Sequence, residues 1–301
     1  MKDLINQLYQ VFRYYRYKYW QWRDKEMSNY LKSLKIMSKL DTIDHIVKNK
    51  CSISRYGDGE FLVMGGTRNI FQKEDSRLAE KLKEVFAKPL PNILICIPTN
   101  LTDVKPLEFK SKIFGLNFNH AHLRDSVMPY VPTNMVYGDS LLTRFYMIQK
   151  DKKHTAEYVK DLKRLWDDED LLMVEGKYSR LGVGNDLFDN SKSIKRILCP
   201  QENAFDKYDQ ILETTIKHYK GELIILAVGI TATALAYDLA KHGMRALDLG
   251  HVDVEYEWFL MGAKERVPIP NKQMSEVKGG ACNAASDDST YLSQIIADCT
   301  E

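Results

Sequence analysis

The stretch from residue 223 to residue 249, LIILAVGITATALAYDLAKHGMRALDL, alternates apolar and polar segments in a way that decides the fold. Leu223–Val228 and Ala246–Leu249 are largely apolar, as expected for parallel strands that are buried on both faces. Between them, Thr231 is placed to cap a helix that ends near Gly243. The stretch therefore predicts a strand, a helix and a second strand in one βαβ unit.

The same alternation runs through the chain from about residue 40. Apolar helical stripes are predicted at Leu78–Phe86 before Pro89, at Tyr158–Trp166, and at Tyr208–Ile216 before Gly221. Strands that alternate with helices of this length predict a doubly wound α/β fold with a mostly parallel sheet. The five further strands predicted are Cys51–Arg55, Asn92–Ile97, Asn134–Tyr137, Leu171–Val174 and Ile194–Cys199.

The composition of the 301-residue chain is that of an ordinary globular protein, with 44% hydrophobic and 28% charged residues. A net charge of +2 without a basic stripe argues against nucleic acid as a partner. The five cysteines form no C-x-x-C pair, so neither a zinc site nor a disulfide framework is predicted. With no secretory signal and no apolar run long enough to span a membrane, the sequence predicts a protein of the reducing cytoplasm.

Polar and glycine-rich residues follow nearly every predicted strand, and the carboxyl ends of parallel strands are where such sheets bind ligands. The most informative cluster is the segment Arg55-Tyr56-Gly57-Asp58-Gly59-Glu60. Asp58 and Glu60 could hold Mg²⁺ or Mn²⁺ from an extended turn. Gly57 and Gly59 would leave room for a diphosphate, and Arg55 could bind its oxygens. The alternative is a surface turn in which Asp and Gly supply only the turn geometry.

A second cluster of titratable side chains follows the strand predicted at Ala246–Leu249. Such a density of groups at a strand end suits general-base catalysis or further metal ligation. The alternative is that the later acids decorate the first turn of a helix, where they favour the helix dipole. The cluster consists of Asp248, His251, Asp253, Glu255 and Glu257, and the last of these is expected on the surface.

Three further segments are candidates for binding the phosphates of a ligand. Thr231 stands where a helix follows a strand, so free backbone N–H groups could face an anion. Asn203 follows the strand that ends at Cys199. None of the segments is a Walker A loop or a dinucleotide fingerprint, so NAD and FAD are not expected. The third segment is the glycine-punctuated loop Glu175–Asp186, whose candidates are Lys177, Arg180, Gly184, Asn185 and Asp186.

Residues 1–35 are predicted to form a separate helical arm before a domain of residues 36–301. A helix of this kind could lie on anionic lipid, which would place the protein peripherally on the inner face of the membrane. It could equally pack on the domain or on another subunit, and its aromatics fall all round the predicted helix. The arm interleaves Tyr9, Phe12, Tyr14, Tyr15, Tyr17, Tyr19, Trp20 and Trp22 with Arg13, Arg16, Lys18, Arg23 and Lys25.

Together these motifs resemble the bacterial glycosyltransferases with the GT-D fold, a family formerly described as a domain of unknown function. The resemblance covers about residues 40–297 and rests on the segments Arg55–Glu60, Glu175–Asp186, Pro200–Tyr208 and Gly250–Trp258. It implies a Rossmann-like α/β domain that differs from the GT-A and GT-B folds. It also implies a nucleotide-diphosphate sugar as donor and a divalent cation, Mn²⁺ or Mg²⁺, held by a D-x-E motif, here Asp58 and Glu60.

The activity implied by the resemblance is transfer of a hexose, with a UDP-sugar as the expected donor. The acceptor would be a glycan, a glycoprotein or a lipid-linked sugar in bacterial surface-glycan assembly. Arg55, Lys177 or Arg180 would add positive charge near the departing diphosphate. The alternatives are a metal-dependent nucleotide-sugar hydrolase and a non-catalytic scaffold of a polysaccharide assembly complex.

A base that activates the acceptor hydroxyl is expected if the reaction inverts configuration. Asp253 is the first candidate for this base, with Glu255 and His251 behind it. The sequence leaves open whether configuration is retained or inverted.

Overall fold

The computed structural model describes residues 2–66, 72–274 and 277–301, without the side chains of residues 2–4. Its nine named strands form one sheet in the order β1-β4-β3-β2-β8-β7-β5-β6-β9, and all of their pairings are parallel. The α/β fold class predicted from the sequence is therefore confirmed. The strands are β1 Lys35–Ile36, β2 Ser52–Arg55, β3 Ile93–Ile97, β4 Val136–Asp139, β5 Asp170–Gly176, β6 Ser193–Cys199, β7 Leu223–Ala227, β8 Ala246–Asp248 and β9 Ile295–Asp298.

All seven predicted strands are present, to within a few residues at their ends, and two strands were missed. Both missed strands lie at the edges of the sheet: β1 is two residues long, and β9 is four residues long with alternating partial exposure. Residues 35–139 supply one side of the sheet and residues 170–298 supply the other. The two sides meet where β2 pairs with β8, at Ile53 and Leu247.

Helices cover both faces of the sheet, as the doubly wound prediction requires. Along β3, Ile93, Ile95 and Ile97 face one hydrophobic core, whereas Leu94 and Cys96 face another. The helices are α1 Lys2–Arg23, α2 Lys25–Ser33, α3 Lys39–Asn49, α4 Asp58–Met64, α5 Ser76–Ala87, α6 Phe109–His122, α7 Thr155–Lys163, α8 Tyr208–His218, α9 Thr231–Lys241, α10 Val252–Leu260 and α11 Ser289–Gln294. The first core takes side chains of α4, α5, α8 and α9, and the second takes side chains of α3, α7 and α10.

The predicted cap of the helix after β7 is corrected by the structure. Ile230 occupies the N-cap position, and no side chain caps the helix. Thr231 is the first residue of α9, and its buried hydroxyl has no hydrogen-bond partner among the described residues. The chain therefore enters α9 through a backbone turn without a side-chain cap, in which Gly229 adopts the left-handed region at φ 61°.

The N-terminal arm packs on the domain along one face. Tyr17 of α1 is buried in a small cluster with Val104, Ile113 and Leu116. Asp24 caps α2 and pairs with Arg124, whose Nη2 lies 2.7 Å from its carboxylate. The cluster and the ion pair hold α1 against α6.

The short helix α2 belongs to the main body of the domain. Met27, Leu31 and Leu34 lie in the first core, so residues 24–34 share that core, whereas α1 lies outside it. Residues 24–34, which the sequence assigned to the arm, therefore pack with the residues of the predicted domain.

All five cysteines are free thiols, and only Cys282 is partly exposed. Among the described residues, no helix has the length and apolarity that crossing a bilayer requires.

Candidate active site

The candidate site lies at the carboxyl ends of β2 and β8. These two strands are neighbours, yet α4 after β2 packs on one face of the sheet and α10 after β8 packs on the other. Connections that leave adjacent strands toward opposite faces open a crevice, where α/β sheets bind their ligands. The segment Arg55–Glu60 and the cluster around His251 therefore meet at the same edge, as the sequence predicted.

Arg55 is held inside the protein at this edge. Its Nη2 donates hydrogen bonds to Asp248 Oδ1 and to the carbonyl of Gly250, each at 3.0 Å. Its Nη1 donates to Thr143 Oγ1 at 2.6 Å and to the carbonyl of Ser140. Since its three guanidinium nitrogens are all bonded within the protein, Arg55 fixes the loops after β2, β4 and β8 rather than offering a free fork to phosphate.

The D-x-E motif forms the first turn of α4, which corrects the expectation of an extended turn. Gly57 is the N-cap, and its N–H donates to Glu60 Oε2 at 2.7 Å, so Glu60 folds back over the start of the helix. Asp58 is exposed and makes no ion pair or side-chain hydrogen bond with the described residues. Residues two apart on a helix do not face each other, so Asp58 and Glu60 do not form a preformed pair of carboxylates. Gly59 is buried within the same turn.

Negative charge accumulates around Glu60. Burial, together with repulsion from Asp248 and Asp58, raises the pKa of the Glu60 carboxyl to about 7. No three carboxylate, imidazole or thiol side chains of the described residues converge closely enough to hold a metal ion by themselves. Mg²⁺ and Mn²⁺ are commonly bound by one or two carboxylates together with substrate phosphates. The exposed Asp58 and the half-buried Glu60 fit an ion that is shared with a phosphate ligand.

The first candidate base, Asp253, is buried and fully engaged. Its Oδ1 accepts hydrogen bonds from the Gly182 N–H at 2.9 Å and from Asn185 Nδ2 at 2.8 Å. Its Oδ2 lies 2.6 Å from Nζ of Lys272, which is buried as well. Lys272 also pairs with Glu257 at 3.0 Å. Asp253 thus joins α10 to the loop after β5 and to the segment that carries Lys272, a placement that argues against a base facing the acceptor.

Glu255 is buried like Asp253, whereas His251 is half-buried. Glu255 is fully buried, and its Oε2 accepts the backbone N–H groups of Tyr146 and Met147 at 2.9 and 2.8 Å. His251 is half-buried at the N-cap of α10, in the left-handed region at φ 72°. The roles of all three as bases stay predictions, and the placement favours His251.

The loop after β5 uses its cations differently from what the sequence predicted. Arg180 is 4% exposed and donates to the carbonyls of Asn271 and Ala284, so it anchors the C-terminal segment instead of facing a ligand. Lys177 is partly exposed, with Nζ 3.7 Å from the carboxylate of Asp298 in β9. Of the two cations, only Lys177 can reach a ligand without breaking buried hydrogen bonds.

The remaining candidates of this loop and its neighbours divide between buried and exposed positions. Asn185 is bonded to Asp253 and to Glu257, so it supports α10. Asp186 is exposed and accepts a hydrogen bond from Tyr256 at 2.5 Å, and Gly184 is exposed at φ 84°. Asn203 adopts φ 51° and accepts the Lys73 N–H at 2.8 Å, so it orders the turn before α8.

Two residues have structural roles at this edge that the sequence did not predict. Asp248, which the sequence grouped with the titratable side chains after β8, holds Arg55, and Lys272 pairs with both Asp253 and Glu257. Asp248 lies within a predicted strand, where an acid among apolar residues is a usable signal. Lys272 lies in a segment without helical or strand periodicity, so the sequence offers no comparable signal.

Replacing Arg180 with alanine is expected to lower the free energy of unfolding by roughly 3 kcal/mol, because hydrogen bonds from a buried charged group to two backbone carbonyls are lost. Lys177→Ala, the matched control on the same loop, should change it by less than about 0.5 kcal/mol. Denaturant unfolding of both variants measures this difference. If Arg180→Ala is as stable as the wild type but binds a nucleoside diphosphate more weakly, Arg180 contacts the ligand instead of anchoring the C-terminal segment.

Comparisons with known proteins agree with this architecture. The family described as Glycosyltransferase GT-D fold matches residues 53–277. The chain is 37% identical over 269 residues to a probable glycosyl transferase, Gly, of Streptococcus gordonii, covering 88% of this chain and 39% of that protein. It is 35% identical over 261 residues to glycosyltransferase GlyD of Streptococcus pneumoniae serotype 4, covering 85% of this chain and 31% of that protein. The chain thus spans well under half the length of either relative.

Solved structures extend the likeness to three dimensions. One, described as a new glycosyltransferase of the DUF1792 type from Streptococcus sanguinis, has 36% sequence identity and a TM-score of 0.81. That similarity covers 88% of this chain and 99% of the other. A second, described as a highly conserved domain with a distinct glycosyltransferase fold, has a TM-score of 0.80 at 36% identity, covering 89% of this chain and 96% of the other.

Proposed function

This chain belongs to the glycosyltransferase family with the GT-D fold, and we propose that it transfers a hexose from a nucleotide-diphosphate sugar with the help of a divalent cation. The observation that carries the proposal is the exposed carboxylate of Asp58, beside Glu60, at the crevice between β2 and β8. An exposed acid that has no ion pair or side-chain hydrogen bond with the described residues is available to a ligand, whereas Asp248, Asp253 and Glu255 are engaged within the protein.

The diphosphate of the donor is proposed to lie near the first turn of α9. This helix starts at the end of β7, next to β8 in the sheet, and its first N–H groups carry the partial positive charge of a helix N-terminus. Gly229 has no side chain to obstruct an approach to the backbone. Thr231 has a buried hydroxyl that is unpartnered among the described residues, which leaves a donor for a phosphate oxygen that approaches this turn.

The cation, Mn²⁺ or Mg²⁺, would be held by Asp58 and Glu60 and, when bound, would offset the charge that develops on the departing diphosphate. Arg55 is a positioning residue in this proposal. By holding Asp248 and the carbonyl of Gly250, it fixes the loop that presents His251 at the same edge. His251 would accept the proton of the acceptor hydroxyl if the reaction inverts configuration.

The donor is proposed to be a UDP-sugar and the acceptor a glycan, a glycoprotein or a lipid-linked sugar of the bacterial surface. The bacterial origin of the related glycosyltransferases supports the proposed class of acceptor. A panel of nucleotide sugars tests the proposal by thermal shift, with and without Mn²⁺, followed by assay of transfer to sugar acceptors.

The expected result is a rise in melting temperature with one class of nucleotide sugar, present only with the cation. At a ligand concentration of 100 times Kd the stabilisation should be about 2.7 kcal/mol. No shift with any nucleotide sugar would contradict the proposed donor. Release of free sugar without an acceptor, as fast as full turnover, would make the protein a hydrolase.

A further inference from the structure

The outward face of α1 carries a continuous apolar stripe, which we call the aromatic stripe. Its members follow one another at spacings of three and four residues, so they lie on one face of the helix. Each is between 51% and 67% exposed. They are Ile5, Leu8, Phe12, Tyr15, Tyr19 and Trp22.

The opposite face of α1 fixes the direction in which the stripe points. Tyr17 is buried in its cluster, and the ring of Tyr14 lies 5.7 Å from that of Phe109. The ring of Trp20 stacks on His120 of α6 at 5.8 Å. Because these contacts anchor one side of the helix, the stripe is held away from the domain. Of the aromatics in α1, Tyr14 and Tyr17 therefore pack on the domain, whereas those of the stripe, and Tyr9 beside it, are exposed.

Positive charge borders the stripe. Residues 5–23 contain four cations and no acidic residue. By helical position, Arg16 and Arg23 lie along one border and Lys18 along the other. Lys25, just beyond the helix, has its Nζ 4.9 Å from the centre of the Trp22 ring. The exposed apolar surface is thus flanked by charges of one sign.

The spacing of the stripe is also that of a coiled-coil seam, which makes a second copy of this chain the main competing occupant. In a helix pair of two copies, Arg16, Lys18 and Arg23 would stand at the positions that flank the seam. Cations would then face cations on both sides, which opposes the pairing. An anionic surface removes this conflict, and tyrosine and tryptophan rings suit a boundary with one apolar and one wet side.

We propose that the aromatic stripe of α1 binds a lipid surface that contains anionic headgroups, with the helix lying in the plane of the interface. The rings and aliphatic side chains enter the boundary of the acyl chains, and the flanking cations contact the headgroups. This interaction is independent of the chemistry proposed at the β2–β8 crevice. It would bring the candidate active site to a surface where lipid-carried sugars are found.

The test is co-sedimentation of the full chain with vesicles of phosphatidylcholine, alone or with phosphatidylglycerol. The stripe variant is Leu8→Gln/Phe12→Gln, and the matched control is Leu40→Gln/Leu292→Gln, two leucines elsewhere that are 47% and 48% exposed. The wild type and the control should bind anionic vesicles alike. The stripe variant should bind on the order of 100-fold more weakly, since two apolar side chains leave the interface.

A charge variant separates the two components of binding. Arg16→Gln/Arg23→Gln should weaken binding by about 25-fold at low salt, which corresponds to about fivefold for each cation. The difference between wild type and this variant should shrink as salt is raised. Circular dichroism and melting temperature should be unchanged in the stripe variant, because its substituted side chains are exposed.

Three results would overturn the proposal. The first is a wild-type chain that does not sediment with anionic vesicles. The second is a stripe variant that sediments as well as the control. The third is a wild-type dimer in analytical ultracentrifugation that the stripe substitutions convert to a monomer without any change in vesicle binding, which would assign the stripe to a second copy.

Discussion

Asp58→Asn is expected to abolish sugar transfer while the fold remains as stable as the wild type. The side chain is exposed and makes no side-chain hydrogen bond or ion pair with the described residues, so its loss should change the free energy of unfolding by less than about 0.5 kcal/mol. If Asp58 holds the cation, the variant loses several kcal/mol of charge stabilisation, which is a fall in rate on the order of 1,000-fold. Single-turnover assays beside a thermal melt measure both quantities.

The matched control for this variant is Asp209→Asn. Asp209 is also an exposed acid in the first helical turn, at the start of α8, where it pairs with Arg77. Its substitution should leave the rate unchanged, since surface ion pairs contribute little. Wild-type protein treated with EDTA should lose activity and recover it with Mn²⁺. Full activity in EDTA, or in Asp58→Asn, would show that Asp58 and Glu60 only form the start of α4 and hold no cation.

Asp253→Asn is expected to destabilise the protein strongly, in contrast to Asp58→Asn. The carboxylate neutralises Lys272, and both side chains are 4% exposed or less. The substitution weakens the hydrogen bonds that the buried carboxylate accepts from Gly182 and Asn185 and removes one of the two acids paired with Lys272. Because Glu257 still lies 3.0 Å from Lys272, we expect a cost of about 3 kcal/mol, at the low end for a broken buried ion pair. For a chain of this size the melting temperature should fall by roughly 10 °C.

The double variant Asp253→Asn/Lys272→Met distinguishes the cause of that loss. It also removes the ammonium group that still pairs with Glu257, whose side chain is only 13% exposed, so it should be no more stable than Asp253→Asn alone. If Asp253 instead acts as the base, the single variant should melt like the wild type and lose its rate of transfer. Melting curves and rates on the same preparations decide between the two roles.

The fold was largely predictable because its central strands are buried on both faces. Such strands are continuous apolar runs, as in β7, and glycine or proline ends the helices between them. The edge strands lack that signal. Strand β1 has only two residues, too few to show a pattern, and β9 alternates between half-buried and exposed residues.

The sequence predicted which segments meet at the carboxyl edge of the sheet, but not the contacts that their side chains make. The rule that ligands bind beyond the carboxyl ends of the strands directed attention to the segments that the structure brings together after β2 and β8. A sequence does not show which acids are neutralised internally, since Asp253 meets a lysine nineteen residues away and Glu255 meets backbone N–H groups of a distant turn. The helical start at Gly57 had a usable signal, because Glu60 stands at the third helical position, where it can cap the helix.

The junction of β2 and β8 also has a consequence for how the chain folds. Arg55 and Asp248, which join the two sides of the sheet, are separated by 193 positions in the sequence. Contacts between such distant residues require a large loop to close, and they slow folding relative to local contacts. Strands β1–β4 can pair using residues 35–139 alone, whereas the crevice needs β8. On the ribosome, the crevice is therefore expected to form only after residue 248 has left the exit tunnel.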